Sequence, residues 1–394
     1  MNLLLLVGVG FFLLVVGTLL GRYYVPDRRP LQRAAKEGRT YARSLAEAVE
    51  GNTDAAIGEI TKALQENTRT VEAYFALGAL FRQRGEHERA VRVHQSILVR
   101  RDIDQPTRRR VHKQLALDFR AAGFPRRAIQ ALEWVVAHDK KAAPAWRELA
   151  ALYEETGEWE RAALAQKRVG KLSGTDCGAL VAHLWAQLAH EHLAKKDLNG
   201  TRRALRRALS ADGTSIHALF ELGQFQLERG SPASAAKAFR RALTLKPELI
   251  AFLQPHLEAA HARAGSADEL GKTLQTLLTA RPGDVQLRLA QARLLAGQDA
   301  ATALVRLERL VEEHPGLVPA RREAARLVLK SGTHQEVRRH LEELLAVLGR
   351  AERGYRCAAC GHAAAEMFWR CTSCKRWGVA GVAWGRRAGE RVSA

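Results

Sequence analysis

A frame of about 34 residues recurs along most of this chain, and it constrains the fold more than any other feature. The stretches AYFALGALFRQRGEHERAVRVHQSIL (73–98), PAWRELAALYEETGEWERAALAQKRV (144–169) and HALFELGQFQLERGSPASAAKAFRRAL (217–243) share it. Each has a large residue, then Leu and a small residue, then an aromatic or long side chain, all at helical spacing. A glycine follows, and a second helical stretch carries Ala five residues later. The pattern reads Trp146, Leu149, Ala150, Tyr153, Gly157, Ala162 in one unit and Leu219, Leu222, Gly223, Gln226, Gly230, Ala235 in another. Gly78, Ala150 and Gly223 fall where two helices of a hairpin pack closest, and Ala90, Ala162 and Ala235 receive the facing helix. Gly85, Gly157 and Gly230 end the first helix in a left-handed turn. Pro247, Pro282 and Pro315 stop their units.

This frame resembles the tetratricopeptide repeat. Its small residue recurs at Ser44, Gly78, Ala116, Ala150, Ala189, Gly223, Glu258, Gln291 and Ala325, which gives about nine helical hairpins across residues 39–350. Ser44, Glu258 and Gln291 depart from the small apolar expectation. The resemblance implies an all-α superhelical solenoid whose concave surface binds a protein segment. No nucleophile and base stand together, so no enzyme is expected. The densest histidines are His183, His190 and His192, with His190 and His192 on different sides of a helix; histidines satisfied in the core or facing solvent are expected there.

Residues 3–21, LLLLVGVGFFLLVVGTLLG, carry no charge over 19 residues. A helix of that length spans roughly 28 Å, close to the hydrocarbon thickness of a bilayer. Residues 1–21 therefore read as a single transmembrane anchor, since no basic stretch precedes the apolar run as a cleaved signal would require. Arg22, Arg28, Arg29, Arg33 and Lys36 make residues 22–38 a basic juxtamembrane linker, and positive charge on that side alone places the rest of the chain in the cytoplasm. Tyr23 and Tyr24 suit the interface.

The formal net charge is +20, a bias toward anionic partners such as nucleic acid or acidic lipid. The arginines, among them Arg108 to Arg110, Arg202, Arg203, Arg206, Arg207, Arg240 and Arg241, are spread along the chain, which reads as solvated helix faces. Five cysteines are too few for a disulfide scaffold. Cys177 stands alone and reads as a passive thiol. The other four form two pairs, Cys357-x-x-Cys360 and Cys371-x-x-Cys374. Each such loop aims two sulfurs at one point, and two loops complete a tetrahedral S4 site for one iron or zinc ion. Arg356, Arg370, Lys375 and Arg376 offset the thiolate charge. Tyr355, Phe368, Trp369 and Trp377 are expected to form a small core around the site in a domain over residues 354–384, with 385–394 as a tail. The segment resembles a rubredoxin-type metal ribbon, departing at Thr372, where that family has Pro, and at Lys375, where it has Gly.

Anchor, repeat array and the ending YRCAACG…WRCTSCKRW together resemble the lipopolysaccharide assembly protein B (LapB) family across nearly the whole chain. That resemblance implies a single-pass protein of the bacterial inner membrane that restrains lipopolysaccharide synthesis. It implies an adaptor through which the membrane-anchored AAA+ protease FtsH degrades the deacetylase committing precursor to lipid A, and a periplasm-facing inner-membrane sensor protein as a further partner. Membrane lipid is a partner on the same reading, nucleic acid is not expected, and self-association is left open. The ribbon is expected to pack on the last hairpins or to touch the client. Two alternatives of other classes are a membrane-tethered redox protein using the ribbon as an electron carrier, and an RNA-binding scaffold.

Overall fold

A computed structural model describes residues 10–18, 52–66, 71–331, 335, 337–339, 341–342 and 354–383. Of the apolar run 3–21, residues 10–18 are described, and they are helical. Among the described residues no helix is long and apolar enough to cross a membrane; the remainder of the expected anchor, the linker 22–38 and the frame position Ser44 lie outside them.

The chain divides into two compact units, residues 1–152 and 153–394. In the first, α1 (Thr53–Glu66) is followed by α2 (Val71–Gln83) and α3 (His87–Leu98), α4 (Gln105–Ala121) and α5 (Pro125–His138), and then α6 (Ala143–Glu155), whose last three residues belong to the second unit. Leu77, Leu80, Phe81 and Ala90 close over Ala56, Ile60 and Leu64 of α1. His94 of α3 is fully buried and its Nδ1 lies 2.5 Å from Asp118 Oδ2 on α4, while Arg82 donates to the other carboxylate oxygen at 2.6 Å. A buried carboxylate so paired avoids the penalty of an unmatched charge.

The second unit continues with α7 (Trp159–Ser173), α8 (Gly178–Ala194), α9 (Leu198–Ala211), α10 (Ile216–Glu228), α11 (Pro232–Leu245) and a 3₁₀ turn at Pro247–Leu249. After these come α12 (Ile250–Ala264), α13 (Ala267–Ala280), α14 (Val285–Leu295), α15 (Ala300–Glu313) and α16 (Val318–Ser331). Helices α9, α14 and α15 start where an aspartate supplies an oxygen for their orphan N–H groups. Asp197 accepts from Gly200 N–H, Asp299 from Thr302 N–H, and Asp284 from both Gln286 and Leu287. One continuous core runs from α10 to α14 through Leu219, Phe239, Leu243, Ile250, Leu253, Leu257, Leu270, Leu274 and Leu287. A second, from α14 to α16, is built on Leu289, Leu307, Leu310 and Ala320.

The frame's small residues are where the helices touch. A Cβ at Gly223 would overlap the Phe239 ring, and one at Gly78 the His94 imidazole. Where the frame departs from small residues, polar links take over: Gln291 donates to Gln275 and accepts from Arg306, and Glu258 accepts from Gln254. The left-handed turns fall at Gly85, Gly123, Gly157, Gly230 and Gly265.

The C-terminal segment is a three-stranded antiparallel sheet, β2 (Ala363–Ala364), β1 (Gly354–Cys357) and β3 (Ala380–Ala383) in spatial order. Tyr355 pairs with Ala364 on one side and Val382 on the other. The ribbon packs on Glu154, Trp159, His183, His217, Phe220 and Phe252 of the second unit, and among the described residues these contacts fall on elements that precede the last hairpins, where the sequence places it.

Candidate metal centre and its seat on the helices

Two turns of the same design carry the four cysteines. In the first, Cys357 N–H donates to His362 O and Gly361 N–H to Cys357 O; in the second, Cys371 N–H donates to Arg376 O and Lys375 N–H to Cys371 O. The residue after each second cysteine is left-handed, Gly361 at φ 75° and Lys375 at φ 59°. The Lys375 ammonium donates to Thr372 O at 2.7 Å, bracing its own turn. Both departures from the rubredoxin pattern thus meet in one loop, which keeps its shape.

The turns bring together all four cysteines expected from the sequence. Their sulfurs lie within 4.8 Å of one another. Cys357 Sγ is 3.6 Å from Cys374 Sγ, and Cys360 Sγ is 3.7 Å from Cys371 Sγ. A metal–sulfur bond of about 2.3 Å gives a tetrahedron edge of about 3.8 Å, so these spacings fit a single four-coordinate ion. Cys357 and Cys371 are buried, whereas Cys360 is exposed. The His362 N–H favours the Cys360 thiolate and brings that thiol down to about 6. Cys374 receives the Arg376 N–H, but burial and the three neighbouring sulfurs prevail and push it up to about 11. One thiolate in such a cluster suppresses the others, and a cation at the centre is what makes four negative sulfurs compatible. The donor set, the spacing and the closed four-sulfur arrangement suit zinc or iron, and they do not distinguish the two.

Trp369 and Trp377 do not form the expected core around these sulfurs. They turn away from the ribbon onto the helices, because a sheet of three short strands has no interior able to take two indoles. Trp369 stacks on His217 with centroids 4.6 Å apart and an interplanar angle of 12°, and it packs against Phe220 and Phe252. Trp377 meets Trp159 edge-on at 6.0 Å and stacks on His183 at 5.6 Å. Glu154 locks the edge of this seam: its carboxylate accepts from Trp377 Nε1 at 3.1 Å and pairs with Arg370 at 3.2 Å. Gly378 lies under His183, where a Cβ would come within 2.9 Å of Nε2. A cavity of about 170 Å³ remains beside the seam, bounded by His183, Asp212, Lys246, Met367 and Trp369.

Burial holds the histidines of the seam neutral. Desolvation takes His183 down to about 4, against the pull of Asp212, and takes His217 well below its ordinary value. Their Nδ1 atoms are 3.3 Å apart. His190 goes the other way, raised by its hydrogen bond to the buried Glu221 carboxylate, and His192 pairs separately with Asp197 at 2.9 Å. The seam was not foreseen. Its sequence signal is that His217, Phe220 and Phe252 take large aromatic side chains at first-helix positions outside the frame's own packing set.

These observations define a tetratricopeptide-repeat protein with a rubredoxin-type metal ribbon. The family described as tetratricopeptide repeat matches residues 41–106, 113–172 and 187–250, with a second such family at 284–316, and the family described as rubredoxin metal binding domain matches 355–378. Over nearly its whole length the chain is similar to the lipopolysaccharide assembly protein B family. It is 28% identical to lipopolysaccharide assembly protein B of Escherichia coli (strain K12), over 93% of this chain and 96% of that one. With the protein of the same name from Haemophilus influenzae it shares 24% identity over 87% of this chain and 89% of that one. Among solved structures, that of Naa15/Naa10 bound to HypK-THB aligns with a TM-score of 0.46 at 13% identity, covering 79% of this chain and 46% of that chain.

Proposed function

We propose that this protein is a non-enzymatic adaptor of the bacterial inner membrane that restrains lipopolysaccharide synthesis by delivering the lipid A-committing deacetylase to the protease FtsH. The observation that carries this reading is the similarity to lipopolysaccharide assembly protein B over 93% of the chain, spanning both repeats and ribbon. Residues 1–21 hold the chain at the membrane with its bulk in the cytoplasm, and the positive residues that follow the apolar run support that orientation. Tethering adaptor and protease in one membrane replaces a three-dimensional search by a local one at raised effective concentration. The hairpins present the client, and a periplasm-facing membrane protein reports the lipopolysaccharide level. Cys357, Cys360, Cys371 and Cys374 hold one zinc or iron ion, whose part is to fold the ribbon so that Trp369, Arg370 and Trp377 reach the helices.

The test is the half-life of the deacetylase in cells that retain the protease, with and without this chain. The reading expects the deacetylase to become long-lived on depletion; an unchanged half-life would overturn it.

A further inference from the structure

The second helices α7, α9 and α11 share a surface pattern that the ribbon does not use. On α7, Leu164, Lys167 and Lys171 are exposed at spacings of three and four, on one side of the helix. On α9 the exposed residues Leu198, Arg202 and Arg206 repeat the arrangement at spacings of four, and on α11 so do Lys237, Arg241 and Leu245. The leucines are 55%, 41% and 45% exposed. Neither α9 nor α11 contains an Asp or Glu. The helices are tied side by side: Arg207 of α9 donates to Glu160 of α7 at 2.7 Å, and Arg241 of α11 donates to Gly213 O, just beyond α9, at 2.9 Å. Arg202, Arg206, Lys167, Lys171 and Lys237 carry no ion pair to any described residue. α7 holds one acid, Glu160, which the Arg207 pair takes up, and the next second helix, α13, breaks the pattern, since Lys272 is its one cation and none of its leucines is exposed.

Three adjacent stripes, each pairing cations with one exposed leucine, are more than a solvated face needs. A solvated face gains nothing from leucine, and an ion-pairing face would carry acids. The combination matches the interfacial layer of an anionic bilayer, where ammonium and guanidinium groups meet lipid phosphates while leucine enters the acyl boundary. We propose that α7, α9 and α11 form a docking surface for the anionic lipid bilayer, which lays the second unit against the membrane and leaves α8, α10 and α12 for the ribbon. This rests on the reading that residues 1–21 anchor the chain, because the anchor keeps the array near one leaflet at high effective concentration.

The full-length chain in nanodiscs tests it. Lysine acetylation rates are measured by mass spectrometry in discs of phosphatidylcholine alone and in discs enriched in phosphatidylglycerol, with exposed Lys140 as the internal reference. In the anionic discs Lys167, Lys171 and Lys237 are expected to react about fivefold more slowly relative to Lys140. High salt and the double variant Arg202→Glu/Arg206→Glu are each expected to abolish that protection. Equal rates in the two kinds of disc, or protection that survives charge reversal, would overturn the proposal. Protection by added RNA in neutral discs, without protection by anionic lipid, would overturn it in favour of a nucleic-acid partner. Retention in neutral discs at high salt reports the anchor separately: a chain lost from them refutes the anchor, and a retained chain with evenly labelled lysines refutes the docking.

Discussion

Two lysines occupy positions built for glycine. The left-handed residue falls seven positions after the frame's small residue in five hairpins, and there it is Gly85, Gly123, Gly157, Gly230 and Gly265; in the α8–α9 turn the same position is Lys196, at φ 58°. Lys375 repeats the substitution in the ribbon. A side chain in that conformation costs about 1 kcal/mol, partly offset because glycine loses more freedom on folding. Lys196→Gly is therefore expected to raise stability by about 0.5–1 kcal/mol in denaturant unfolding. Lys375→Gly gains less, since it also removes the ammonium bond to Thr372 O. The opposite experiment belongs to Gly223, where the added methyl of Gly223→Ala meets the Phe239 ring and is expected to cost about 1–3 kcal/mol. A neutral result there would mean that α10 and α11 can separate by a few tenths of an ångström without loss. The positions of Gly78 and Gly223 were legible in the sequence because steric need repeats with the frame. That Lys196 stands in a glycine's place was equally visible, but only its backbone angle shows that the turn kept its shape.

At the scale of elements, the ribbon and the helices beneath it depend on each other unequally. A segment of about thirty residues cannot bury enough apolar surface to fold alone, so its metal supplies the missing free energy, whereas α10 to α14 have a continuous core of their own. Replacing Cys357 with Ser is thus expected to release the metal and collapse the near-ultraviolet circular dichroism of Trp369 and Trp377, while the far-ultraviolet helical signal stays near its starting value. Loss of the helical signal as well would make the ribbon a structural cap of the array. The seam itself depends on pH through His183. Its folded value near 4 lies below its ordinary value of 6.5, so its contribution to docking is complete above 6.5 and is lost as pH falls from there toward 4. A shift of that size corresponds to at most about 3 kcal/mol. His217, lowered by burial, acts in the same sense. His190, raised by Glu221, favours the folded seam at low pH instead, but it is largely exposed and screened. A tryptophan fluorescence titration of the metal-loaded protein is expected to show undocking begin below pH 6.5, and His183→Gln to flatten that limb. The cysteine ligands were readable because chelation fixes their spacing. The seat of the ribbon was not, because docking joins Glu154 to Trp377 and His217 to Trp369 across long separations that no local period records, and the tryptophans read equally well as a core of the ribbon.

For the whole molecule, the proposed division of labour, with residues 1–21 as tether and the hairpins as client-binding array, decides what a truncation does. The 19-residue apolar run is set apart from the frame by the basic linker, and the packed cores described in the hairpins draw nothing from it. A chain lacking residues 1–21 is therefore expected to keep its hairpins and ribbon and to bind the deacetylase in solution with affinity near that of the full chain. On the proposed function its action in cells should nevertheless fail, because an adaptor without its anchor must find client and protease together in three dimensions, and loss of a short tether lowers effective concentration by about two to four orders of magnitude. The deacetylase half-life in cells carrying the truncated chain measures this, and it is expected to approach that of cells without the chain. Restoring an unrelated single-span anchor should then recover degradation, since co-localisation acts through proximity and not through contact within the bilayer. Normal degradation by the truncated chain would refute co-localisation, and failure of the unrelated anchor would show that residues 1–21 contact a partner inside the membrane.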